Sequence, residues 1–219
     1  MSKDLEKMNE VERQQENIKQ QEDLENYRHK MDREAVERLA EKFKDRVPPE
    51  RIAAMRELPT SFEEPETLEN NYIRDGGKPH EPNEKVVGYS TGLDRPAHVA
   101  TGDVEGLKTD YHERLHQMAE PGIQNELGRE LTEGITEKFA EDTAGTLNLE
   151  TGYECYPRGR AAVDKILAVC PQEVLEKAYF RGDTQELKLY LDNSFGPGEL
   201  ERLRQRLDDL PDLEQSRSQ

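Results

Sequence analysis

The chain has 219 residues, of which 32% are hydrophobic and 36% charged, and its formal net charge is −17 at pH 7. Such a polar composition excludes one well-filled core running through every residue and predicts that part of the chain is extended or solvated. The acidic balance excludes nucleic acid and anionic membrane surfaces as expected partners, since both call for basic patches; it suits a basic partner or a cation site.

No apolar run approaches the roughly 20 residues of a membrane-spanning helix. The opening MSKDLEKMNEVERQQ lacks the apolar segment of a signal peptide. The expectation is synthesis in the cytoplasm, with any export or injection following a route that needs no cleaved signal. Cys155 and Cys170 do not make a disulfide framework or a CxxC zinc pair, and are expected to be reduced thiols.

Residues 1–47 read as a charged helical arm, partly disordered. Glu, Gln, Lys, Arg and Asn dominate, and no Gly or Pro interrupts them. The apolar stripe is thin until Val36, Leu39, Phe43 and Val47, which are expected to dock. Pro48-Pro49 ends the arm. Residues 48–84 read as a short helix, PERIAAMREL, with Pro49 in its first turn, followed by a Pro/Gly-rich linker from residue 59.

Residues 85–210 read as one domain of α+β class, mainly helical. KVVGYST (85–91) and AHVAT (97–101) are predicted to be short strands, joined by the turn-like GLDRP. Helices are expected at 106–119, 123–142, 158–170, 172–181, 184–192 and 198–209. The second of these carries Leu127, Leu131, Ile135 and Phe139 at i, i+4 spacing as its core stripe. Residues 211–219 are expected to be a disordered tail.

The first domain helix carries HERLH. His112 and His116 stand at i and i+4, on one helix face. Two imidazoles so placed can bind one Zn²⁺ at roughly 2.0–2.1 Å each. Glu113, one residue past the first histidine, is directed beside the metal without ligating it, the general-base position of a zinc peptidase. A third protein ligand is needed, and His29, His80 and His98 all lie upstream. The carboxylates of NELGRELTEGITEKFAED supply the candidates. His98, on a predicted strand, and His80, in the linker, are expected to be structural or solvent-facing.

HERLH followed by LTEGITEKFAED resembles the gluzincin zinc metallopeptidases, in which a glutamate of a second helix, often written as an E-G pair, completes the site. The resemblance covers about residues 85–192. Its closing AYFRGDTQELKLYL (178–191) is similar to small bacterial metallopeptidase domains of the effector and polymorphic-toxin kind. It implies a zincin-like fold, one Zn²⁺ per chain, Glu133 as third ligand and Glu137, four residues on, as the carboxylate supporting a ligand histidine. Glu130 and Glu137 remain alternative ligands, because Glu126, Glu130, Glu133, Glu137 and Glu141 form an acidic stripe. The usual Asn before the ligand glutamate is Thr132 here.

The family also needs an electrophile for the oxyanion. Tyr153 of TGYECYP is the leading candidate and Tyr156 the alternative. Arg158 and Arg160 are candidates for substrate contacts or, more simply, partners of surface acids. The expected function is zinc-dependent hydrolysis of peptide bonds in a protein or peptide substrate, by an effector or toxin whose arm engages a secretion or injection apparatus or a chaperone. The competing expectation is a non-catalytic acidic helical interaction protein whose HExxH is structural or accidental.

Overall fold

The computed structural model describes residues 2–79, 86–92, 94–101, 106–145 and 156–209, with side chains from residue 13 onward except 106–108. Helix α1 spans Ser2–Phe43, 42 residues, or about 63 Å at 1.5 Å per residue. From Arg13 to Tyr27 its side chains stand in solvent. The first buried one is Asp32, and then Ala35, Val36, Leu39, Ala40 and Phe43 form a helical-period stripe, each at most 5% exposed. That stripe docks, as its thickening predicts. It meets α2 (Pro49–Glu57) and the helices that follow, within one core cluster that runs from Ala35 to Leu207. The last turns of α1 therefore pack with the helix that carries HERLH, across the boundaries expected near residues 47 and 84.

The expected linker holds structure that its prolines and acids hide. Ser61–Glu63 form strand β1, and Pro65–Arg74 form helix α3. Pro65 sits in the first turn, where its missing N–H costs nothing and its fixed φ is already helical. The predicted strand pair follows as β2 (Gly88–Tyr89) and β3 (His98–Ala100). The sheet order is β1-β3-β2, with β1 parallel and β2 antiparallel to β3.

Its two faces differ. Tyr89, stacked on His98 at 4.6 Å, joins Leu68 and Tyr72 of α3 in a small second cluster. His98 is held there by Glu63, Nδ1 to Oε1 at 2.6 Å. Gly88 turns the opposite way, toward α4 (Gly106–Met118). A Cβ on it would lie 2.4 Å from Thr109 Cγ2 and 3.1 Å from Glu113 Cγ. Only a glycine lets β2 settle this closely onto the HERLH helix.

The single helix expected over 123–142 is two. Helix α5 (Ile123–Leu127) and helix α6 (Arg129–Ala144) are separated by Gly128 at φ 83°, ψ 158°, a conformation that a side chain opposes. The space a Cβ would need there is filled by Arg204 and Asp208. Leu127, Leu131, Ile135 and Phe139 are nonetheless all fully buried, as their spacing predicts.

Four helices close the core: α7 (Pro157–Leu167), α8 (Gln172–Arg181), α9 (Gln185–Phe195) and α10 (Glu199–Asp208). Phe43 of α1 lies 4.8 Å from Phe180 and 5.5 Å from Phe139, ring to ring. These rings tie the arm, α6 and the AYFRGD segment into one aromatic centre. Among the described residues the architecture is mainly helical with a small mixed sheet, and no helix is long and apolar enough to cross a membrane.

Candidate metal centre

The side chains of α4 divide by helical period. Leu115 and Met118 enter the core, fully buried, while His112 and His116 turn toward α6. Their Nε2 atoms lie 3.0 Å apart. Oε2 of Glu133 stands 3.1 Å from each. The opposite nitrogen of His112, Nδ1, is 3.2 Å from Oε2 of Glu137. The expected His112, His116, Glu133 and Glu137 thus meet, with Glu133 at the imidazole pair and Glu137 behind His112.

The acidic stripe sorts itself by partner. Glu130 lies 3.8 Å from Arg158, Glu141 pairs with Arg160, and Glu126 stands 3.8 Å from Lys188. Arg158 and Arg160 are therefore engaged with acids of α6. Tyr153, His80 and Cys155 lie outside the described residues. Tyr156 lies inside them, its ring stacked on His112 with centroids 5.9 Å apart. Cys170 is a free, buried thiol. His98 belongs to the α3 face of the sheet, paired with Glu63.

Glu113 is 7% exposed, covered by β2 through Gly88. Among the described residues it makes no hydrogen bond. Burial raises its pKa, against the lowering influence of His112 and His116. Burial alone would lower the pKa of His112, but hydrogen bonds to Glu133 and Glu137, with the charge of Glu113, raise it to about 10. Burial likewise opposes ionisation of Glu133, yet the two histidines hold it below the usual carboxylate range.

Three carboxylates and two imidazoles are gathered here, Glu113 and Glu137 buried and the Glu133 side chain only 14% exposed. Such a cluster demands positive charge. The donor set fits a zinc ion. With Nδ1 of His112 donating to Glu137, the neutral ring directs its Nε2 lone pair at His116 and Glu133. Two nitrogens and a carboxylate oxygen converge with mutual separations of 3.0–3.1 Å. Tetrahedral coordination at roughly 2.0–2.1 Å sets such donors about 3.3 Å apart. Lone pairs this close repel unless a proton or a cation lies among them. The three ligand atoms form the only such cluster among the described residues.

Behind the site lies a group the motif gives no hint of. Arg114, inside HERLH, is wholly buried. It donates to Asp32 of α1 through Nε at 3.1 Å and Nη2 at 2.5 Å, and through Nη1 to the carbonyl of Leu58 at 2.5 Å and to Gln117 at 3.0 Å. Asp110, a turn earlier, is hydrogen-bonded by Thr60. Burial and the nearby Asp32 raise its pKa. Nothing in the sequence sets Asp32 apart from the other acids of the arm. Compared with protein-family models, curated proteins and solved structures, the chain matched none.

Proposed function

We propose that this chain is a zinc-dependent metallopeptidase of zincin-like build, holding one Zn²⁺ on His112, His116 and Glu133. The observation that supports this best is the convergence of those three donors with a further carboxylate, Glu113, buried beside them and hydrogen-bonded to none of them. A structural metal site has no use for such a residue; a hydrolase does. The small sheet, with its antiparallel strand β2 lying over Glu113, supports the zincin-like reading.

A bound zinc ion supplies Lewis acidity toward a carbonyl oxygen and a water. The chain supplies the rest. Glu113 accepts the proton of the attacking water and delivers it to the leaving amine. Its raised pKa keeps it closer to neutrality than an exposed glutamate, which suits a group that must both take and return a proton. Glu137 fixes the tautomer of His112. A tyrosine after α6, Tyr153 by its place in the sequence, donates to the oxyanion. The solvent-facing stretch of α1 is the part open to a delivery apparatus or chaperone.

Metal analysis of the parent and Glu113→Gln proteins tests the reading. One zinc per chain is expected in both. Cleavage of a peptide library is expected to fall by about 10²–10⁴-fold in the variant. A protein that neither carries zinc nor takes it up on titration overturns the proposal. Zinc retained with equal cleavage in both proteins removes Glu113 from the chemistry.

A further inference from the structure

Tyr156 is the N-cap of α7, and its backbone is left-handed at φ 52°, ψ 51°. No other non-glycine residue among those described has positive φ. Two local effects oppose this conformation. The Cβ crowds the following carbonyl, and Pro157 pushes the residue before it toward extended backbone. Strain of this kind persists where the surroundings over-determine it, and it gathers at functional sites.

Here the surroundings are the crossing of α6 and α7. A Cβ on Gly159 would stand 2.1 Å from the carbonyl oxygen of Glu130, and one on Gly134 would stand 2.3 Å from the carbonyl carbon of Gly159. The two backbones touch. Arg158 and Arg160 bridge to Glu130 and Glu141 on either side of the contact. This fixes the start of α7, and with it Tyr156, relative to Glu133. The Tyr156 ring then lies 5.9 Å from the His112 ring with planes 15° apart, an offset stack. Glu137 engages one edge of that imidazole, His116 and Glu133 the other, and Tyr156 covers a face.

We propose that Tyr156 is a positioning residue: its ring holds the His112 imidazole in the plane in which Nε2 meets His116 and Glu133, and the left-handed backbone is kept for that contact. The proposal rests on the reading of His112 as a zinc ligand. It gives Tyr156 a part that needs the ring and not the hydroxyl, separate from the oxyanion role proposed for Tyr153.

The test uses the full chain with Tyr156→Phe, Tyr156→Leu and Tyr156→Gly. Zinc affinity is measured by competition with a chromogenic chelator, and thermal unfolding is followed on the chelator-stripped proteins. The Phe variant is expected to match the parent's affinity. The Leu and Gly variants are expected to bind at least about tenfold more weakly, the low end for a group that orients a metal ligand. Stripped of metal, the Gly variant, whose backbone tolerates positive φ, should unfold no lower than the Leu variant, so that weakened binding is not collapse of the fold. Unchanged affinity in Leu and Gly overturns the proposal, as does a loss in Phe equal to that in Leu, which places the role in the hydroxyl. A parent protein that takes up no zinc overturns the ligand reading itself; one that binds zinc indifferently to position 156 overturns only the positioning role.

Discussion

Glu133 and Glu137 stand one turn apart on α6, yet they meet opposite nitrogens of the same imidazole. The geometry gives them different weights. Glu133→Ala removes a proposed ligand and is expected to abolish tight zinc binding. Glu137→Ala is expected to weaken it about 10–100-fold, as loss of an orienting partner does. Glu130→Ala, whose carboxylate faces Arg158 at 3.8 Å and not the imidazoles, should leave affinity unchanged. Chelator competition on the three proteins checks this order, and a Glu130→Ala protein that loses zinc would show the register of α6 to be misassigned. The titration of His112 gives a second prediction. Without metal its pKa is about 10, above the ordinary 6.5, so it stabilises the fold fully below pH 6.5 and loses that contribution as pH rises toward 10. Glu133, depressed below its ordinary 4.5, stabilises above that value and loses its contribution on acidification. Both contributions are therefore fully present in the metal-free protein only between about pH 4.5 and 6.5, while Asp110 and Glu113, whose pKa values burial raises, work against them as pH rises. At pH 8 zinc must displace the His112 proton, so uptake should release about one proton per metal. Calorimetry in buffers of different ionisation heat measures that number, and zero at pH 8 would show the ring to be already neutral.

At the scale of elements, the crossing of α6 and α7 sets where Glu133 and Tyr156 can be. Gly134→Ala or Gly159→Ala inserts a methyl where backbone already lies within 2.3 Å. Either should cost at least the roughly 1–3 kcal/mol of an overpacked core, read as a lower midpoint in chemical denaturation; unchanged midpoints would mean that the helices separate freely. This contact explains what was legible in the sequence. HERLH and the Leu127, Leu131, Ile135, Phe139 stripe announce themselves because helical period and residue type together determine which way a side chain points. Glu133 and Glu137 followed from a resemblance, since five acids on one helix give no ranking by themselves. Gly159 and Gly88 carried no readable signal, and Gly134 was legible only as part of the E-G pair, not as the point where α6 meets α7. A glycine required by a neighbouring backbone looks, in one dimension, the same as a glycine that merely weakens a helix. Gly128 broke α5 from α6 through the approach of α10, a contact some 80 residues away in the chain. Pro65 masked α3 because proline at the first turn and proline as a breaker are the same letter.

For the molecule as a whole, the question is which part of α1 is arm and which belongs to the packed core. Burial starts at Asp32, and from there the helix contributes a counter-charge to Arg114 and five apolar side chains to the core. The side chains of residues 13–27 stand in solvent, so a chain that begins at Arg28 gives up none of the described buried side chains and should keep its unfolding temperature and its zinc affinity. Removing residues 2–43 strips Val36 and Leu39 from the core and Phe43 from beside Phe139 and Phe180. Each such loss costs about 2–5 kcal/mol, together comparable with the whole stability of a domain, so this truncation should leave no cooperative unfolding transition. The Asp32–Arg114 pair gives the finer test. Asp32→Ala takes the nearest carboxylate from a guanidinium that is wholly buried inside HERLH and leaves it Asp110 at 3.6 Å, at an expected cost of about 3–5 kcal/mol. Asp32→Leu with Arg114→Met replaces the pair by apolar groups and should recover most of that loss. If the double variant is as unstable as Asp32→Ala, the pair is needed for its charge, and Asp110 and Thr60, the other polar groups in that pocket, become the residues to examine. If it is stable and binds zinc like the parent, the HERLH helix is held by packing against α1 and not by the charge of the pair.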